Sequence, residues 1–176
     1  MKRSAAIEWL ARALAILGGL VLILITVLTV VSITGRAFVR QGLGPIPGDF
    51  ELVEVMTAFA VFSFLPWCQL RGAHATVDVF TSFFPAGVNR VIDLITEILM
   101  TFAITLIGWR LWYGMTDKMR YNETTFILQF PVWWGFAAAM VAVGVAILVS
   151  FYMTFIRIQE VVAGQRQFGP AEGGHS

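Results

Sequence analysis

Asp93 and Glu97 stand four residues apart in an otherwise apolar stretch, so a helix there stacks both carboxylates on one face. Two adjacent ionised carboxylates repel, and carrying one charge to the bilayer centre costs at least about 2.5–3.5 kcal/mol on insertion scales. Such a pair can relay protons or cations, or it can form an interfacial ion pair and meet a partner subunit. Arg90, three residues before Asp93, supplies a cation for the second reading. No matching acid or base occupies the middle of the other apolar stretches, so the second reading is the stronger. Glu51 and Glu54 pose the same question in another segment. They can cap a helix, bind cations or pair with Arg36 and Arg40 across a loop, and pairing is the expectation. Arg110 is placed to snorkel its guanidinium toward water.

His74 lies four residues before Asp78 and six after Cys68, but the second of the two histidines is His175 in the terminal tail. A structural metal wants four protein ligands, and bis-histidine haem wants two well-placed histidines. Neither set is available, and there is no Walker sequence, dinucleotide glycine fingerprint or nucleophile–base arrangement. The expectation is no catalytic residue, metal or cofactor. His74 is read as ordering a turn. The single cysteine, Cys68, leaves the redox compartment open.

The elements that position these groups are membrane spans. Residues 13–35 form 23 consecutive positions without a charged side chain, and 124–156 form 33. At 1.5 Å per residue either run crosses a hydrocarbon core of roughly 30 Å as a helix. With 58% hydrophobic and 13% charged residues in 176, a water-soluble surface would be hard to assemble. Net charge is +1, and no run of Lys or Arg offers a stripe for nucleic acid. The expected fold is an all-α integral membrane protein with spans at about 13–34, 50–70, 91–113 and 131–155. Asp49 is read as the N-cap of the second span, and Pro131 suits the first turn of the fourth. Gly18 and Gly19 are candidates for close helix contact. Asp117, Lys118, Arg120, Asn122 and Glu123 read as a loop.

Between spans 2 and 3, Val77, Val79, Phe80, Phe83 and Phe84 are interleaved with Thr76, Asp78, Thr81 and Ser82. That pattern reads as an interfacial helix at about 76–84, with a short re-entrant segment as the alternative. The N-terminal apolar run is longer than a signal peptide's core and is read as a retained span. The whole reads as one membrane domain over 1–163, followed by a polar, Gly-rich tail over 164–176. Four spans put both termini on one side. Placing that side in the cytoplasm puts seven basic residues inside (Lys2, Arg3, Arg12, Arg71, Arg90, Arg157, Arg166) against five outside (Arg36, Arg40, Arg110, Lys118, Arg120). This bias favours both termini inside.

Several segments, taken in order, resemble one family. They are Ile33-Thr34-Gly35-Arg36, the acids Glu51 and Glu54, then Gly72-Ala73-His74-Ala75-Thr76-Val77-Asp78-Val79, and finally the run Thr124 to Trp133 containing Pro131. Over roughly residues 7–158 the chain resembles the small, DctQ-like membrane subunit of tripartite ATP-independent periplasmic (TRAP) transporters. The resemblance implies a bacterial inner-membrane scaffold without enzymatic activity. It implies two partners besides lipid: a large multispan transport subunit (DctM-like) and a periplasmic substrate-binding protein (DctP-like). It also implies secondary, usually sodium-coupled uptake of organic acids such as dicarboxylates, keto acids or sialic acids. Under it, Arg36, Glu51 and Glu54 fix the outer ends of spans 1 and 2, and Arg71, His74 and Asp78 secure the connector. Pro131 and Trp133 set the start of span 4, and Asp93 with Glu97 becomes a partner contact. The competing readings are a small multidrug-exporter-like homodimer and a non-transport anchor or assembly subunit. The exporter needs a central acid, which span 1 lacks.

Overall fold

The computed structural model describes residues 5–71 and 86–163, with the side chains of 86, 87, 89, 90, 160 and 163 left aside. Four helices account for most of it: α1 (Ala5–Ala37), α2 (Asp49–Arg71), α3 (Ala86–Arg120) and α4 (Trp133–Ala163). All four are long and apolar enough to cross a membrane. The protein is therefore an all-α bundle of four spans. Ile, Val and Thr in α1 would favour strand in water, but in lipid every backbone amide must bond within its own segment, which selects helix. Thr26, Thr29 and Thr34 return their hydroxyls to carbonyls four residues back and remove their own polarity.

Three helices outrun their apolar cores. By rise alone α1, α3 and α4 measure about 50, 52 and 46 Å, whereas α2 measures about 34 Å. The largest departure from the sequence reading is at α3. Asp117, Lys118 and Arg120, expected in a loop, continue the helix to Arg120. The end of hydrophobicity is not the end of a helix, because Lys, Met and Arg propagate it well in water. The expected interfacial helix at 76–84, with His74 and Asp78 beside it, and the tail over 164–176 lie outside the described residues.

Packing order differs from chain order. α1 packs on α2, α2 on α4 and α4 on α3, with a smaller contact between α1 and α4. α4 is the central helix, and its sequence explains why. Ala139, Ala142, Val143, Ala146, Val149, Ser150 and Met153 recur at helical spacing and are all buried. Small side chains let neighbouring backbones approach closely without a hydrophobic drive between helices. The same device joins α1 to α2, where Gly18 faces Ser63 and Ala60, while Gly19 faces open space. At one end Ala11, Leu70, Val149, Met153 and Ile156 close a cluster from α1, α2 and α4. Pro66 is buried inside α2, where it removes one intrahelical amide donor.

At the opposite end the α1–α2 connector folds back on α1. A Cβ at Gly35 would collide with the Gly44 carbonyl. Gly35→Ala is therefore expected to destabilise the bundle by about 1–3 kcal/mol, read as a lowered melting temperature in detergent. Gly19→Ala, pointing into open space, is expected to be neutral or slightly stabilising in the same measurement.

Candidate functional site

The polar side chains that bond between segments fall into two groups toward the two ends of the bundle, and each group ties different helices together. At the end formed by the α1–α2 connector, Ser32 and Arg36 stand one turn apart on α1 and both reach Asp49. Ser32 Oγ donates to Asp49 Oδ2, and Arg36 Nη2 donates to the same oxygen at 2.7 Å. Asp49 Oδ1 accepts the amide of Phe50 at 2.9 Å, within the first turn of α2. Arg36 thus pairs with Asp49, and the expected pairing with Glu51 and Glu54 is not the arrangement found. The reason is geometric: Asp49 begins α2 directly opposite the last turns of α1, whereas Glu51 is turned the other way.

Glu51 is only 4% exposed, and its carboxylate reaches across to the α3–α4 connector. Its two oxygens accept the backbone amides of Ile127 at 2.8 Å and Leu128 at 3.0 Å. That connector is a tight turn. Thr124 bridges Pro131, the Thr125 amide donates to Phe130 carbonyl at 3.0 Å, and Gln129 adopts φ 56° with its side chain bonded to Phe126 carbonyl. Leu128 packs over Gly48, whose φ of 73° suits glycine. Glu54, by contrast, is exposed. Pro131 stands in the bridge before α4 rather than in its first turn, and its carbonyl accepts the Trp134 amide at 3.2 Å. Trp133 is the first helical residue and meets Trp134 edge-on.

At the other end, Asp93 and Glu97 have partners within the chain. Gln69 of α2 donates its Nε2 to Glu97 Oε1 at 2.6 Å, and its Oε1 accepts the Ser150 hydroxyl of α4 at 2.6 Å. Gln69 is 1% exposed and Ser150 is fully buried, so one amide joins three helices. Thr101 extends the seam with bonds to Thr154 and to the Ser150 carbonyl. Asp93 lies 3.8 Å from Arg157 of α4. The anticipated partner, Arg90, has its side chain outside the described residues. Arg71 ends α2 with its guanidinium 4.6 Å above the Trp67 ring.

The acidic face, for which the other apolar stretches held no matching charge, thus has in-chain partners in Gln69 and Arg157. Charge-only reading missed Gln69 and Ser150, uncharged polar residues in apolar spans, and it missed Arg157 because that residue lies beyond the last apolar run. Ser32 carried the same signal as Ser150. No group of His, Cys, Asp and Glu suited to a metal occurs among the described residues.

Four spans tied at both ends by helix-to-helix polar contacts define an integral membrane bundle whose ionisable groups join helices. Residues 25–160 match the family described as tripartite ATP-independent periplasmic transporters, DctQ component. The chain belongs to that family of small TRAP transporter subunits, which are non-catalytic components. No curated protein and no solved structure matches it.

The two ties differ in depth, which predicts an order of effects. Glu51→Ala orphans two amides under a buried carboxylate and is expected to cost about 1–3 kcal/mol, with faster hydrogen exchange at Ile127 and Leu128. Arg36→Ala breaks a pair whose cation is 57% exposed and is expected to cost less than about 1 kcal/mol by thermal melting.

Proposed function

We propose that this chain is the small scaffold subunit of a secondary, sodium-coupled TRAP transporter for organic acid uptake. In this reading it stabilises a large DctM-like subunit and helps dock a DctP-like periplasmic substrate-binding protein. The observation that carries the reading is the direction of the polar groups. Asp49, Glu51, Glu97 and Asp93 all contact other segments of this chain, while α1 turns large aliphatic side chains outward along its length. Ile16, Leu20, Ile23, Val27 and Val30 are each more than half exposed. A rigid bundle with apolar outer faces suits a part that holds a moving neighbour in place. A carrier would instead aim its acids at a substrate path.

Both termini are assigned to the cytoplasm of a bacterial inner membrane, on the seven-to-five distribution of basic residues. The α3–α4 turn and the projecting end of α3 then face the periplasm, where a soluble partner arrives. Segment 76–84 is assigned to the inner interface, with Arg71, His74 and Asp78 anchoring it and Arg90 beginning the return. Pro131 and Trp133 fix where α4 starts, and Arg36, Glu51 and Glu54 mark the outer rim.

Two measurements test the reading. In a Cys68→Ser background, a Phe126→Cys label site, 92% exposed in the wild type, is expected to react with impermeant maleimide in cells whose outer membrane alone is opened. Val162→Cys, 83% exposed, is expected to react only after the inner membrane is opened as well; the reverse pattern inverts the topology. Native mass spectrometry of nanodisc-purified chain is expected to find a stoichiometric complex with one large multispan protein. A homodimer without such a partner contradicts the scaffold reading.

A further inference from the structure

Arg110 is the basic residue set within the apolar part of α3, ten residues short of the helix end at Arg120. Arg36, Lys118 and Arg157 face carboxylates and Arg71 covers a Trp ring, but Arg110 has no ion-pair partner among the described residues. Its side chain is exposed on α3, beside a groove of about 390 Å³. Leu106, Ile107, Arg110 and Leu111 of α3 line that groove together with Phe136 of α4. The groove follows from two glycines. Gly108 draws α3 against Val143 and Ile147, and Gly114 admits the Phe136 ring one turn beyond Arg110. Between them the seam is left unfilled.

Depth is set by the neighbours. Trp109, Trp112 and Tyr113 are each more than half exposed, and Trp109 meets Tyr113 edge-on at 5.5 Å. Exposed Trp and Tyr clustered at a span end mark the headgroup level. Arg110 therefore sits where lipid phosphates lie, with aliphatic walls running inward from it. A guanidinium that snorkels to that level meets lipid phosphates there and matches their oxygens in bidentate fashion. A lipid phosphate is already at that depth, tethered to a chain that fills an apolar groove.

We propose that Arg110 and the α3–α4 groove hold one anionic glycerophospholipid, phosphate on the guanidinium and one acyl chain along Leu106 and Ile107. The site is independent of the scaffold reading, since it needs no other subunit. The test uses the full chain with any subunits that accompany it, stripped of lipid in detergent and titrated in native mass spectrometry. The probes are dioleoyl-phosphatidylglycerol and dioleoyl-phosphatidylcholine. Wild type is expected to retain one phosphatidylglycerol in preference to phosphatidylcholine. Arg110→Gln should weaken that binding at least about fivefold, the order expected for loss of one cation near a lipid surface. Arg110→Lys should keep most of it, and Ile107→Trp should reduce it with the charge left in place; unchanged helical melting confirms that each variant is folded. Equal binding of the two lipids, or undiminished phosphatidylglycerol binding by Arg110→Gln, overturns the proposal. So does an Arg110→Gln variant that loses a protein subunit while lipid binding is unchanged, because the cation then meets a protein carboxylate.

Discussion

Hydrocarbon offers no water to a polar side chain, so each such group in a span must find its partner in protein or at the bilayer edge. Here hydroxyls in the spans mostly return to carbonyls of their own helix, and the carboxylates and the Gln69 amide find partners in other segments of the same chain. Gln69 shows the consequence most clearly. Its amide has one donor side and one acceptor side, and meeting both fixes α3 through Glu97 and α4 through Ser150 at once. At the far end Glu51 does the equivalent for a connector, holding two backbone amides that would otherwise need water. Apolar contact between spans is weakly specific, because lipid tails are as apolar as leucine. The polar ties therefore select which helices neighbour one another, and the small residues of α4 let them come close.

Much of the architecture was legible in the sequence, because charge-free runs of spanning length have few alternatives. Helix ends were less so. The reading stopped α3 where Asp117 and Lys118 appear, yet a helix continues through good helix formers into water without an apolar face. Partner choice was the least legible. Arg36 four residues after Ser32 defines a helical face, but nothing in the spacing said that Asp49 would meet it in preference to Glu51. That choice depends on how the connector through Gly44 and Gly48 folds, which is tertiary information. Gln69 and Ser150 stand in the sequence as polar residues in apolar spans, but which helices they join is set by tertiary contact.

Membership in the DctQ family makes this chain a small TRAP transporter subunit, and its internal ties make it a bundle closed by its own side chains. Surface left outward is aliphatic along α1 and aromatic around Trp109, Trp112 and Tyr113 of α3, suited to lipid and to helices of a neighbour. The ionisable groups that close the bundle, Asp49, Glu51, Asp93 and Glu97, are engaged with other segments of this chain.

Internal closure of the acidic face is tested most directly by a double-mutant cycle between Gln69 and Glu97. Gln69→Leu, Glu97→Leu and the double variant would be melted as isolated chains, with no other subunit present. A hydrogen bond to a charged group contributes about 1.5–3 kcal/mol, so a coupling energy above about 1 kcal/mol is expected. Coupling near zero in the isolated chain, reappearing only in the presence of the large subunit, would mean that Glu97 is held by another protein and that the bundle is not closed on its own.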